Sequence, residues 1–196
     1  MPHRYNLIGK DKESCKLFLT ICPDFESRCE QEPSDYAFNL YNEYKELGMN
    51  NNSMNGAIFE LIISTMLIKF NITPFFIQST VAFVPNVRSD ILLYTNEKGP
   101  VGLSLKTTLR ERYKQADLEA YVLKNVHRNS ETFIITASEK EADNVNTKIK
   151  NGELLALTKV YDIKQINALI SYLETLTIIH PIPVQIITGK EIKCMS

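Results

Sequence analysis

A chain of 196 residues, 44% of them hydrophobic and 23% charged, is long enough to bury one substantial core. It reads as a single domain over 1–196, with 1–33 as a helical or loop extension and 34–196 as the core. A net charge of −1 excludes a global pull on polyanions, so any nucleic-acid binding must come from a local basic patch.

No apolar run approaches the roughly 20 residues that span a bilayer, and the opening residues mix charge with apolar positions unlike a secretory leader. A soluble, intracellular protein without a membrane partner is expected. Cys15, Cys22, Cys29 and Cys194 form no CxxC pair and the histidines lie far apart, so a zinc site has little support and reduced thiols are expected.

In chain order, the first 30 or so residues carry Leu17, Phe18, Leu19 and Ile21, interrupted by Pro23, and predict a short helix or loop packed on the body. Ala37, Leu40, Tyr41, Tyr44 and Leu47 have helical spacing, with Ser34 as N-cap and Gly48 as the stop. Residues 53–70 predict a second helix, apolar on more than one face and therefore largely buried. After Pro74, the aromatic and β-branched run 75–84 predicts a strand ended by Pro85-Asn86. Residues 89–94 and 101–106 predict a hairpin closed by 95–100.

A helix over 109–127 follows, with Leu109, Tyr113, Ala116, Ala120 and Leu123 on one stripe. Residues 132–136 predict a buried strand, 139–150 a polar helix, 160–162 a strand, 164–176 a helix and 184–187 a late strand. This order predicts an α/β fold with a central mixed sheet flanked by helices.

The hairpin carries the first chemical inference. Strands paired about a turn centred near Lys98 bring Asp90 opposite or next to Lys106. Alternation then places Gly102, Ser104 and Lys106 on the face of that pair, and Val101, Leu103 and Leu105 on the other. The plain alternative is an ordinary cross-strand salt bridge, worth under about 1 kcal/mol if exposed. Glu60 lies within Ala57-Ile58-Phe59-Glu60-Leu61-Ile62-Ile63, where a carboxylate needs a partner. A hard divalent cation held between carboxylates, Mg²⁺ above all, would supply one; a surface glutamate is the plain alternative.

Directly after Lys106 comes Thr107-Thr108-Leu109-Arg110-Glu111-Arg112-Tyr113-Lys114. With Thr107 or Thr108 as cap, Arg110 and Arg112 fall in a first helical turn, where the helix dipole disfavours cations unless an anion or base edge meets them. Arginine forks match O6 and N7 of guanine and glutamate accepts from cytosine N4, so Arg110-Glu111-Arg112 is chemically a reader of G·C pairs. Lys114, Lys124, His127 and Arg128 can extend the basic surface toward phosphates. The same string is otherwise a solvated helix face.

Asp90, followed across a hairpin by Ser104-Leu105-Lys106, resembles the core of the PD-(D/E)xK nucleases. Ser104 stands in place of the usual acid, and Ser89 in place of the motif's proline. A branch of the type II restriction endonucleases, cutting CCGG or interrupted CC/GG targets, has this arrangement and moves the missing carboxylate onto the following helix, behind an Arg-Glu-Arg-like reading motif. Glu119 matches the relocated glutamate by spacing, with Asp117 as its rival.

The resemblance implies a restriction-endonuclease-like fold and Mg²⁺-dependent hydrolysis of double-stranded DNA at a short G·C-containing palindrome. It implies a homodimer in a bacterial or archaeal cytoplasm, and a cognate DNA methyltransferase that protects host DNA without a stable complex. Asp90 and Glu119 would hold the principal metal and Glu60 would assist. Lys106 would orient or activate the attacking water, or offset phosphate charge. Arg110, Glu111, Arg112 and Lys114 would contact DNA. The runner-up is a sequence-specific DNA-binding protein that keeps the fold without cleaving. A small-molecule enzyme is a third reading, but the chain has no GxGxxG, P-loop or GxSxG.

Overall fold

The computed structural model describes residues 2–48 and 51–181. A short 3-10 turn at Pro2–Tyr5 leads to α1, Glu13–Ile21, and then to α2, Pro33–Glu46. The start of α2 differs from the sequence expectation: Glu32 is the N-cap and Pro33 the first helical residue, because proline's fixed φ and missing N–H suit that position. Ser34 instead donates its backbone N–H to Asn167 Oδ1 at 2.8 Å. Gly48 does stop the helix, at φ 67°, a left-handed conformation that glycine adopts without strain.

Helix α3 spans Asn52–Lys69. Asn51 caps it by accepting from Ser53 N and Met54 N at 3.0 and 3.3 Å. Its apolar residues point all round, so α2 covers one side and the sheet another. Burying each Ile, Leu or Phe contributes about 1.5–3 kcal/mol, which secures the helix and lets one glutamate ride on it.

The strands are β1 Phe76–Ser79, β2 Ser89–Thr95 and β3 Gly99–Lys106, followed by helix α4 Arg112–Val126 and then β4 Glu131–Thr136. Helix α5 Glu139–Lys150, β5 Lys159–Asp162 and helix α6 Ile166–Glu174 complete the described chain. The five strands lie in the order β1-β2-β3-β4-β5. The first three pair antiparallel, and β3-β4 and β4-β5 pair parallel, so the sheet is mixed, as the order of elements predicts. Helices α4 and α5 form the two crossovers that parallel pairing requires.

Two strand expectations need correction. The run 75–84 is a strand only over Phe76–Ser79; Thr80 to Val87 is a loop in which Phe83 and Asn86 both adopt positive φ. Its valines pack instead as a small apolar cluster, Val81, Val84 and Val87 with Leu123 and Val122 of α4, while Phe83 stays exposed. The late strand expected at 184–187 lies outside the described residues.

Ile91, Leu93, Val101, Leu103, Phe133 and Ile135 pack one face of the sheet against α2, α3 and α6. Ile134 and Val160 pack the other against α4 and α5, where Leu109, Tyr113 and Ala116 of the expected stripe are buried with Ala142 and Val145. Phe18, Cys22 and Phe25 near the N-terminus join the first of these cores. Cys15, Cys22 and Cys29 are free thiols, and burial pushes Cys22 up to about 11. No helix among the described residues is long and apolar enough to cross a membrane.

Candidate active site

The hairpin register fixes the centre of the site. Ile91 pairs with Leu103 and Leu93 with Val101, around a turn in which Gly99 takes φ 67°. This register is two residues tighter than a turn centred on Lys98 gives, so Asp90 falls beside Ser104 rather than opposite Lys106. A shift of two preserves the face of every side chain, and Lys106 still reaches across: its Nζ lies 2.9 Å from Asp90 Oδ2.

The same carboxylate oxygen accepts the backbone N–H of Leu105 at 2.7 Å and faces Ser104 Oγ at 3.5 Å. Asp90 therefore replaces the next ladder acceptor at the mouth of the hairpin, which anchors it more firmly than the ion pair alone. Both partners are about four-fifths covered, with side-chain exposures of 21% for Lys106 and 23% for Asp90.

Glu60 approaches from α3. Gln78, in β1, donates its amide nitrogen to Glu60 Oε1 and Oε2 at 3.1 and 3.2 Å and to Asp90 Oδ1 at 3.3 Å. The glutamate is thus not a surface residue with a solvated head. Burial raises its pKa above the ordinary carboxylate value, and the charge of Asp90 adds to the rise; the Gln78 hydrogen bond and the nearby Lys106 and Arg88 oppose it. Arg88 Nε donates to the Gln78 carbonyl at 3.0 Å. Two carboxylates held this close, half-withdrawn from water, make the kind of oxygen-donor pair that a hard divalent cation favours.

Glu119 projects from α4 and accepts from Gln115 Nε2 at 2.8 Å. It lines a small cavity with Ser104, Gly102, Ser89, Arg88 and Thr132, so it shares that cavity with the strand position of Ser104. In this conformation no three Asp, Glu, His or Cys side chains among the described residues converge tightly enough to enclose an ion. Asp90 and Glu60 meet at Gln78, while Glu119 lines the cavity shared with Ser104.

Asp117, the rival acid, is 5% exposed and fully engaged elsewhere. Its carboxylate accepts the backbone N–H groups of Leu155, Ala156 and Leu157 at 2.8, 2.8 and 2.9 Å. It ties the loop before β5 to α4.

The Arg-Glu-Arg segment differs from its sequence expectation. Helix α4 begins at Arg112, with Glu111 as an N-cap that makes no side-chain cap bond, and neither Thr107 nor Thr108 caps it. Arg110 sits before the helix at φ 42°, so the unfavourable dipole position applies to Arg112 alone. The loop is held from the other side, where Glu141 of α5 accepts Leu109 N and Arg110 N at 2.8 and 3.2 Å. A buried Leu109 is its apolar anchor.

Arg110, Glu111 and Arg112 are exposed. Arg112 Nη2 donates to the Thr108 carbonyl at 2.9 Å, and Glu111 pairs with Lys114. Arg110 and Arg112 border a groove of about 760 Å³ with Lys106, Lys45, Asn52 and Asn55, so the catalytic lysine candidate opens into the same concavity as the candidate reading residues. Lys124 and Arg128 are exposed, whereas His127 is half-buried and lines an apolar groove with Phe76 and Phe83; it does not extend a basic surface.

Sequence reasoning missed Gln78 and Arg88. Gln78 lies in an apolar strand, and its only signal is register: Ile77 pairs with Ile91 and Ser79 with Ser89, which places Gln78 across from Asp90. Lys45, Asn52 and Asn55 carried no signal either, because their relation to the groove depends on how α2 and α3 pack against the end of β3.

No protein-family model matches the sequence, and no curated protein matches it. Two solved structures resemble the fold. The restriction endonuclease PspGI, in a structure described as a complex with substrate DNA, superposes with a TM-score of 0.62 at 14% identity, over 85% of this chain and 83% of that one. The type IIP restriction endonuclease Kpn2I gives a TM-score of 0.49 at 16% identity over 76% of this chain and 62% of that one, a likeness too loose to build on. A mixed five-stranded sheet with helices on both faces, matched to PspGI across most of both chains, gives this protein the α/β fold of a restriction endonuclease.

Proposed function

We propose that the chain is a divalent-metal-dependent type II restriction endonuclease. It cleaves double-stranded DNA at a short palindrome with a G·C core, of the CCGG or interrupted CC/GG kind, as a homodimer whose two-fold axis matches that of the target. It acts in a restriction-modification system whose methyltransferase protects host DNA without a stable complex. The observation that carries this reading is the Asp90-Lys106 pair at the hairpin mouth with Glu60 held beside it. The fold shared with PspGI, whose structure is described as a complex with substrate DNA, supports it.

Asp90, Glu60 and Glu119 would hold Mg²⁺, which supplies Lewis-acid stabilisation of the charge that builds on the phosphate and the leaving oxygen. The chain's own residues do the rest. Asp90, fixed by the Leu105 N–H, keeps the Lys106 ammonium beside the site, where it orients a water for in-line attack or offsets charge on the scissile phosphate. Attack forms a new P–O bond as the bond to the leaving oxygen breaks, and the proton of the water passes to solvent or a nearby base. Arg110, Glu111 and Arg112 read base edges from the adjoining groove and Lys114 contacts phosphate.

The test is digestion of mapped DNA with Mg²⁺ or with EDTA, followed by sequencing of the ends. Discrete Mg²⁺-dependent cuts at one palindrome, lost in Lys106→Ala and Asp90→Ala while specific binding persists, are expected. Specific binding without cutting would make the chain a DNA-binding protein on a nuclease fold.

A further inference from the structure

Gln78 occupies a position that neither strand regularity nor apolar packing accounts for. Its φ of 46° is left-handed, unusual for a long side chain in a strand, and the Arg88 guanidinium holds its carbonyl at 3.0 Å. The result is one carboxamide that reaches an aspartate on β2 and a glutamate on α3 together. Its nitrogen lies 3.1 to 3.3 Å from three carboxylate oxygens, although an amide NH₂ has only two hydrogens to give.

A partial positive charge in a nest of carboxylate oxygens stands where a cation would be most stable. The two ends of a carboxamide differ only in a turn about its last bond, and the environment decides which end points inward. With carboxylates alone, the NH₂ end must face them. With a cation among them, the carbonyl oxygen is favoured.

Building on the nuclease reading above, we propose that Gln78 is a positioning residue that holds Glu60 and Asp90 together when no cation is present. On cation binding its amide turns, and Oε1 becomes a further oxygen donor beside those two carboxylates. This supplies a neutral third oxygen where Ser104 provides no carboxylate, and it gives the strained backbone at Gln78 a purpose.

The experiment measures binding of Mn²⁺ alone to the full chain without DNA, by electron paramagnetic resonance of the free ion, with thermal unfolding in EDTA and in Mn²⁺ alongside. Gln78→Leu keeps the volume but offers no oxygen, and should weaken Mn²⁺ binding by about tenfold, the scale on which metal-site partners act. Gln78→Glu places an anionic oxygen in the same spot and should bind at least as tightly as the parent. In EDTA it should unfold at a lower temperature than Gln78→Leu, because three carboxylates then crowd one another, and Mn²⁺ should reverse that order. A merely structural glutamine would give loss in both variants with no recovery in Gln78→Glu, and that result overturns the proposal.

Asp90→Ala separates this inference from the reading beneath it. If Asp90→Ala loses Mn²⁺ while Gln78→Leu binds like the parent, only the role of Gln78 falls. If Asp90→Ala binds like the parent, or the parent itself binds no Mn²⁺, the metal site is wrong and both fall. Should Gln78→Glu not fold in EDTA, the comparison of Gln78→Leu with the parent decides the matter.

Discussion

Asp117 and Glu119 sit two residues apart on α4, and the structure engages Asp117 with backbone N–H groups while Glu119 is the acid proposed for the metal, a division that Asp117→Asn tests directly. Asp117 Oδ1 accepts two backbone N–H groups, from Ala156 and Leu157, and Oδ2 accepts a third from Leu155. An asparagine keeps one carbonyl oxygen, so Ala156 and Leu157 stay satisfied, but its NH₂ faces the Leu155 N–H and two donors confront each other. The loss is one charge-assisted hydrogen bond and the weakening of two others at a 5%-exposed side chain, which amounts to about 1.5–3 kcal/mol.

For a chain of this length that is a fall of about 3–12 °C in Tm. Urea unfolding at fixed pH, read by circular dichroism, gives the free energy, and cleavage assayed well below the new Tm gives the activity. Asp117→Asn should lose stability and keep cutting. A variant as stable as the parent that no longer cuts would mean that Asp117 is the metal-holding acid and that its backbone bonds are incidental.

Glu119→Ala should show the converse, near-parental stability with cleavage lost, because its one hydrogen-bond partner among the described residues is the side chain of Gln115; unimpaired plasmid cutting would remove it from the site. For Glu60, burial and the charge of Asp90 hold the folded-state pKa above the unfolded one. The folded protein therefore binds the extra proton, and this stabilising contribution, present at acid pH, is lost as pH rises through the raised value. Glu60→Gln should consequently flatten the decline in metal-free stability above the ordinary carboxylate range, and a parallel pH profile for parent and variant would contradict the assignment of that shift. Arg110→Ala and Arg112→Ala should each cost about 1–3 kcal/mol of discrimination between cognate and scrambled duplexes in competition titrations at two salt concentrations. Lys114→Ala should instead weaken both duplexes about equally and reduce the salt slope; uniform losses in the two arginine variants would make them phosphate clamps.

Much of the architecture was legible because period and punctuation agreed. The apolar run of α3, the stripe on α4 and the β-branched run of β4 each reported their burial directly, and Gly48 marked its helix end. The hairpin was legible to the face but not to the residue, since alternation fixes parity while the position of Gly99 in the turn fixes register. The loop after β1 was misread because its apolar side chains pack under α4 rather than along a strand. The start of α4 was misread because Glu141, thirty-two positions from Leu109, supplies the hydrogen bonds that Thr107 or Thr108 would otherwise give. A loop held by a residue from a distant helix leaves no local trace.

The distribution of acids follows from the same geometry. The serine on β3 brings a hydroxyl, not a carboxylate, to within 3.5 Å of Asp90 Oδ2, and its small size, with Gly102 one ladder step away, leaves the cavity that Glu119 lines. A Cβ at Gly102 would make ordinary van der Waals contact with Ser89 Oγ at 3.4 Å and Thr132 Oγ1 at 3.6 Å. Ser104 and Glu119 line the same small cavity, so on the proposed reading a carboxylate at the strand position would face the one that Glu119 brings from α4. The choice of the helix ties Glu119 to the element that opens with Arg112. On the proposed reading, in which Arg112 contacts DNA and Glu119 helps to hold the metal, a tilt of α4 on contact at Arg112 would also displace Glu119, because one helix carries both.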